Sequence, residues 1–238
     1  MKIDLHVHTT ASPCSDIKIE DAVIKAIKSG ISGIAICNHN RRFSLTELPK
    51  GIEERLNIVI NPMTSCNNAF YIIPGIENST KAGHVLTLYF SEENTISILA
   101  HPFEQSSDYS ERSNCILSSG VPFDLVECGS GRANYKNKSA CEMAKRFAEE
   151  NNLSICAGSD AHFDHEIGNA WSEITDGTAG LCGIYNALKN GKCNIHYKNE
   201  KRVTIAKSQI LKNGYSLKSI AFLIYCYIRD IGDKICQR

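Results

Sequence analysis

The chain opens on "KIDLHVH", in which apolar Ile3, Leu5 and Val7 alternate with polar Asp4, His6 and His8. A period of two is that of a strand, with residues i and i+2 on one face. The pattern therefore predicts that Asp4, His6 and His8 share a face and that the apolar residues pack behind it. The period then changes: "IKIEDAVIKAIKSG" reads as an amphipathic helix and stops at Gly30, a residue suited to a helix C-terminus. From there strand and helix patterns alternate. "GIAIC" is a short apolar strand, and "SLTELPKGIEERL" a helical region interrupted by proline. "AFYIIPGIE", "HVLTLYF" and "ISILAHP" read as strands, "DYSERSNCILSSG" as a helix and "FDLVEC" as a strand. "NKSACEMAKRFAEENN" is a helix, "LSICAGSDAH" a strand running into a loop, "GLCGIYNALKNG" a helix and "CNIHY" a short last strand. No repeat, low-complexity tract or linker breaks the series.

Alternating units of this kind predict an α/β fold, a parallel sheet with helices outside. Their number within 238 residues favours a barrel over an open sheet. In such barrels the chemistry sits at the C-terminal ends of the strands. Polar residues cluster there: His6 and His8, Asn38 and His39, Glu77, His101, Glu127, and Asp160 with His162 each end an apolar strand. Two imidazoles on one strand either ligate a metal or hydrogen-bond in a cleft. Five of the eight histidines fall at these strand ends, which packing does not explain and metal ligation does.

Composition narrows the classes. Lys+Arg and Asp+Glu are 26 each, so no basic nucleic-acid coat or polyanionic tail is expected. The 11 cysteines form no C-x-x-C pair and sit mostly among apolar neighbours, as reduced thiols of a cytoplasmic protein do. The first strand begins almost at Met1 and carries candidate ligands, so removal of a leader would destroy the site. Near the C-terminus, "SLKSIAFLIYCYIRDIGDK" has an unbroken apolar run from Ile220 to Ile228, short of the ~18 residues that cross a bilayer. It reads as a helix that Ser216 can cap, packed on the body or at a homo-oligomer interface, with peripheral membrane contact as a third alternative. No P-loop, G-x-G-x-x-G or G-x-S-x-G pattern supports a nucleotide-cofactor or serine-hydrolase reading.

Taken in order, "DLHVHT", "IAICNHN", "PGIE", "AHPF" and "AGSDAH" resemble the successive motifs of the PHP (polymerase and histidinol phosphatase) domain family, over residues 2 to about 195. The resemblance implies a distorted seven-stranded (β/α) barrel with a C-terminal helix packed outside, residues 1–200 forming the domain and 201–238 its helical extension. It implies two or three divalent metal ions, Zn, Mn or Fe. His6, His8, Glu77 and Asp160 would bind the first; Glu77 would bridge to a second, shared with His101; His39 and His162, with Asp16, would bind a third. Glu127, Cys128 or Ser130 would complete the ligand set of the second metal, and Glu77 and Asp160 would stand at the reacting centre. Asn38 departs from the family pattern, which has Asp there, and would orient or ligate less strongly.

Other residues keep two readings. His84 is a substrate-binding residue of the ligand shell or leaving group, or a strand-edge histidine; Arg132 takes a substrate phosphate bidentately or is a surface arginine. Arg41 and Arg42 divide in the same way; Asp164 and His165 read as exposed loop residues and His196 as structural. The expected activity is hydrolysis of a small phosphomonoester or nucleotide phosphate by a metal-bound hydroxide. The alternatives are hydrolysis of a C–N bond and a non-catalytic metal-binding module.

Overall fold

The computed structural model of the protein describes residues 1–135, 137–176 and 179–236, with backbone alone for 135 and 233–236. The strands are β1 (Lys2–Val7), β2 (Gly33–Ile36), β3 (Val59–Ile60), β4 (Ala69–Thr80), β5 (Gly83–Tyr89), β6 (Thr95–Leu99), β7 (Leu125–Gly129), β8 (Ser154–Ala157), β9 (Ala170–Ile174) and β10 (Cys193–Tyr197). The α-helices are α1 (Ile19–Lys28), α2 (Ile52–Leu56), α3 (Tyr109–Ser118), α4 (Ala140–Glu150), α5 (Gly180–Lys189), α6 (Arg202–Asn213) and α7 (Leu217–Cys236).

The strands form one sheet in the order β10-β9-β1-β2-β4-β5-β6-β7-β8, with β3 beside β4. The loop after β8 returns to β1, where the His8 backbone N–H donates to Ala161 O at 2.9 Å, and Gly158 bridges to Trp171 of β9. The sheet thus curls into the distorted barrel that the strand–helix alternation predicts. It is parallel in two runs, β1-β2-β4 and β6-β7-β8. Between them β4, β5 and β6 are antiparallel, because the residues joining β4 to β5 make a hairpin and leave no room for a crossover helix. β3 and β9 are strands that the apolar pattern does not announce: β3 has two residues, and β9, "AWSEI", mixes polar and apolar positions.

Helices lie where their apolar faces direct them. α1 carries Glu20 and Asp21 in its first turn and Lys25 and Lys28 in its last, matching the helix dipole, and buries Ala22, Val23 and Ala26. Gly30, at φ +72°, ends it. α4 buries Cys141, Ala144, Phe147 and Ala148 against β7 and β8, in a cluster separate from that of α1. The C-terminal region holds two helices. Asp230 of α7 accepts the backbone N–H groups of Arg202 and Val203, at 3.2 and 2.9 Å, and so caps α6 from its neighbour. Ser216 accepts the N–H of Ser219 at the start of α7, the cap its sequence predicts. No helix among the described residues is long and apolar enough to cross a membrane. The described cysteine side chains are free thiols.

One irregularity sets the site. In β1 the register against β2 pairs Asp4 with Ile34 but Val7 with Ile36, so one extra residue is inserted between them. Ile34 and Ile36 both pack with α1. Asp4 and Val7 therefore face the same side, and the bulge turns His6 and His8 to the other, with Leu5. The expectation that Asp4 shares their face is corrected: its Oδ1 accepts the Ser159 N–H at 2.8 Å and its Oδ2 the Gly168 N–H at 3.0 Å, tying β1 to the loop after β8.

Candidate metal centre

Glu77 lies at the centre of the site. It sits within β4 and not at its end, is 1 % exposed, and bridges to His39 at the end of β2. Five imidazoles surround its carboxylate. His84 Nδ1, His101 Nε2 and His6 Nε2 lie 2.8, 3.3 and 3.7 Å from Oε1, and His39 Nδ1 and His8 Nε2 lie 2.7 and 3.4 Å from Oε2. Asp160 Oδ1 is 3.5 Å from His6 Nε2 and 3.2 Å from His8 Nε2. The two Nε2 atoms of His6 and His8 are themselves only 3.1 Å apart. His101 and Asp160 hold positive φ angles of 29° and 55°, uncommon outside glycine though better tolerated by His and Asp than by most residues, and the sort of backbone strain that functional sites retain.

A further layer orients these groups. Glu127 Oε1 pairs with His6 Nδ1 at 3.1 Å while its Oε2 accepts the His101 N–H at 3.0 Å. His8 Nδ1 meets Ser12 Oγ at 3.2 Å. Both rings therefore present Nε2 inward, the arrangement of metal-binding histidines. Asn38 contributes from outside: its Oδ1 accepts from Thr9 N, Thr9 Oγ and Ser12 Oγ at 2.9, 3.1 and 3.1 Å, holding the loop after β1.

Charge follows geometry. Burial alone would raise Glu77 and Asp160, but the imidazoles, led by His6, hold both carboxyls well below their usual range. Burial pushes His8 down to about 4, and burial with the Arg132 guanidinium pushes His162 down. Burial opposes the protonation of His101 and His39, yet the Glu77 carboxylate raises His101 to about 9, and Cys14 and Glu77 raise His39 to about 10. The donor set suits a divalent cation. Ionised carboxylates and inward imidazole nitrogens converge, and the buried Glu77 Oε2 and His84 Nδ1 make no hydrogen bond despite their close neighbours. Two clusters share Glu77: His6, His8 and Glu77, and Glu77, His84 and His101.

The structure brings His6, His8, His39, Glu77, His84, His101, Asp160 and His162 together. Asp16 it does not: that side chain is exposed, and Cys14, two residues earlier, turns into the site instead. Arg132 is buried, with Nε on Glu166 Oε1 at 2.9 Å and Nη2 on Ser208 Oγ at 2.8 Å. The other oxygen of Glu166 accepts the N–H groups of His162 and Phe163 at 2.7 and 2.9 Å, so Arg132 braces the loop that carries His162. Arg41 pairs with Glu47, and Arg42 stacks on Tyr89. Asp164 and His165 are exposed, and His196 pairs with Glu173. A cavity of about 170 Å³ leads to the centre, lined by Glu77, Asp160 and Arg132 and roofed by Gln209 and Lys212 of α6. The sequence reading missed Cys14, Glu166 and the α6 residues. "SPCSD" offered a sulfur donor beside the aspartate, whereas nothing local marks Glu166 or α6.

A family model described as PHP-associated matches residues 138–193. An uncharacterised protein of Methanocaldococcus jannaschii is 27 % identical over 202 residues, 74 % of this chain and 71 % of that protein. Among solved structures, a two-domain protein from Bacteroides vulgatus containing a predicted PHP-like metal-dependent phosphoesterase superposes with a TM-score of 0.57 at 16 % identity, over 88 % of this chain and 69 % of that one. An amidohydrolase from Chromobacterium violaceum, with bound sulfate and no metal, gives 0.52 at 12 % identity, over 71 % of this chain and 90 % of that one.

Proposed function

We propose that the chain is a PHP-domain protein and, on that premise, a metal-dependent hydrolase of small phosphate esters, phosphomonoesters or nucleotide phosphates. The observation that carries this is the Glu77 carboxylate, buried among five imidazoles and facing Asp160 across His6 and His8. His6, His8, Glu77 and Asp160 would hold one divalent ion, and Glu77, His84 and His101 a second, with Glu77 as the bridge. His84, whose Nδ1 lies 2.8 Å from Glu77 Oε1, takes the place of a ligand in this reading and not that of a substrate contact. Bound Zn, Mn or Fe would supply Lewis-acid activation of water and neutralise a phosphoryl group.

The chain's own residues do the rest. Glu127 and Ser12 fix the tautomers of His6 and His8 so that Nε2 faces the cavity. Glu77 and Asp160 stay ionised and need shed no proton to bind a cation. Asp160, open to the cavity, orients the attacking water. The cavity has room for a phosphate-sized group at the centre, and Arg132 and Lys212 stand among its lining residues with the carboxylates. Hydrolysis of a C–N bond is the second reading, supported by the amidohydrolase of the same fold.

Phosphate release across a panel of phosphomonoesters and nucleotides, in manganese and in zinc, tests the proposal. Turnover should vanish in Asp160→Asn and in chelator. Turnover of amides alone would transfer the assignment to the second reading. Bound metal with no turnover of either class would leave a metal-binding module. We also infer that the apolar face of α7 meets a second copy of this chain. Leu217, Ile220, Ile224, Tyr227 and Ile231 are exposed and recur at alternating steps of three and four, the spacing of a helix–helix seam.

A further inference from the structure

The loop between β1 and α1 carries a sulfur atom into the site. Cys14 Sγ and one ring nitrogen from each of His8, His39 and His162 all lie within 4.8 Å of one another. The cysteine is 5 % exposed. Its position follows from how the loop is pinned. Ser12 N–H donates to Thr9 O at 2.8 Å and Ser15 N–H to Ser12 O at 3.1 Å, two successive tight turns. Thr10 N–H reaches Ile17 O at 2.8 Å and closes the loop. Ser12 Oγ donates to Asn38 and accepts the His39 N–H at 3.0 Å, locking the loop onto the end of β2. In this conformation Cys14 is buried against His39 and Asp16 is exposed. His8 Nε2 is already directed at Glu77 and Asp160, at 3.4 and 3.2 Å, so it stands between this cluster and the Glu77 clusters.

We propose that Cys14, His39 and His162 form a sulfur-containing metal site beside the Glu77-bridged pair, and that this site takes a soft divalent ion such as zinc in preference to manganese. The proposal rests on the reading of the centre as a metal site. One thiolate and two imidazoles match the donor preferences of zinc, whereas manganese prefers carboxylate and water oxygen. Three protein donors leave a fourth tetrahedral position open, the pattern of zinc sites that act on a ligand and not merely hold a fold. Binding breaks the Sγ–H bond, forms an Sγ–metal bond and releases the proton to solvent, with no change of oxidation state. Cys37 and Cys156, in contrast, are buried in the apolar core, and neither belongs to a ligand cluster among the described residues.

Cobalt(II) replaces zinc and reports sulfur ligation through a near-ultraviolet charge-transfer band, independently of any turnover. The experiment loads the full chain with cobalt after Cys66, Cys115 and Cys182, the exposed thiols among the described residues, and the C-terminal Cys236 have been changed to Ser. The expected result is a thiolate band that disappears in Cys14→Ser. Cys14→Asp restores an anionic donor and should keep the cobalt count of the parent while losing the band and gaining manganese occupancy. Cobalt bound at full count with no band, or with a band unchanged in Cys14→Ser, would overturn the sulfur site and leave the Glu77 pair standing. No cobalt bound at all would overturn both.

Discussion

Glu127 governs two candidate ligands with one carboxylate. One oxygen meets His6 Nδ1 and the other takes the backbone N–H of His101, so the His6 ring and the His101 main chain are both positioned by a residue that touches no cation in the proposed site. Glu127→Gln keeps an acceptor but removes the charge that makes His6 a stronger donor. Metal affinity should fall about 10–100-fold, the usual cost of losing such a partner, measured by competition with a chromophoric chelator. Unchanged affinity would remove Glu127 from this role. Asn38 has a comparable place. Three donors point at its Oδ1, so its amide serves the loop after β1 as a carboxylate would, and its departure from the family pattern does not remove a ligand. Both residues were legible in the sequence as strand-end polar groups. Whether each binds metal or orients a neighbour depends on which atoms they meet.

At the scale of elements, the ends of β1, β2, β7 and β8 and the positions just beyond them bring the chemistry together, as apolar runs ending in His, Asn, Glu and Asp foretold. Close approach is part of this. A Cβ at Gly158 would lie 2.6 Å from both the backbone N and Cβ of His6, so only glycine lets the β8 end pass β1 closely enough to place Asp160 beside His6 and His8. The C-terminal extension was legible only in part. α6 sends Ser208 to Arg132 and covers the mouth of the cavity, a role that its sequence does not mark because it depends on how α7 docks through Asp230. The exposed seam of α7 carries its own expectation. Sedimentation should report a dimer that becomes a monomer in Ile224→Asp/Ile231→Asp with the site intact; a monomeric parent would sink the second-copy assignment.

For the whole molecule, the buried charges predict how stability varies with pH. In the metal-free chain His101 and His39 titrate at about 9 and about 10, above the ordinary value of 6.5. Their stabilising contribution is therefore complete below 6.5 and is lost as pH rises through those values. Burial raises Asp4 to about 6 and Glu166 to about 7, which removes stability in the same direction at lower pH. His8 works oppositely: lowered to about 4, it favours the fold above 6.5 and withdraws that support as pH falls toward 4. The Tm of the metal-free protein should thus fall from pH 6.5 to 10. Excess zinc should flatten that limb, because a bound cation replaces the protons on His39 and His101. Thermal unfolding in chelator and in zinc checks this, and an alkaline limb that metal does not alter would count against both histidines as ligands.

The sequence by itself determined the alternation of strands and helices, the order of the strand ends that carry the candidate ligands and the absence of a nucleotide or serine-hydrolase motif. Those features are local: each depends on residues close together in the chain. Three decisions belonged to the tertiary structure. A bulge in β1 separated Asp4 from His6 and His8, because one inserted residue reverses every later side chain and no pattern of period two records it. The loop after β1 buried Cys14 and exposed Asp16, because its turns are held by Asn38 and Ile17 and not by its own composition. Glu77 collected five imidazoles from four separate segments, because closing the sheet brings together strands that lie far apart in the chain.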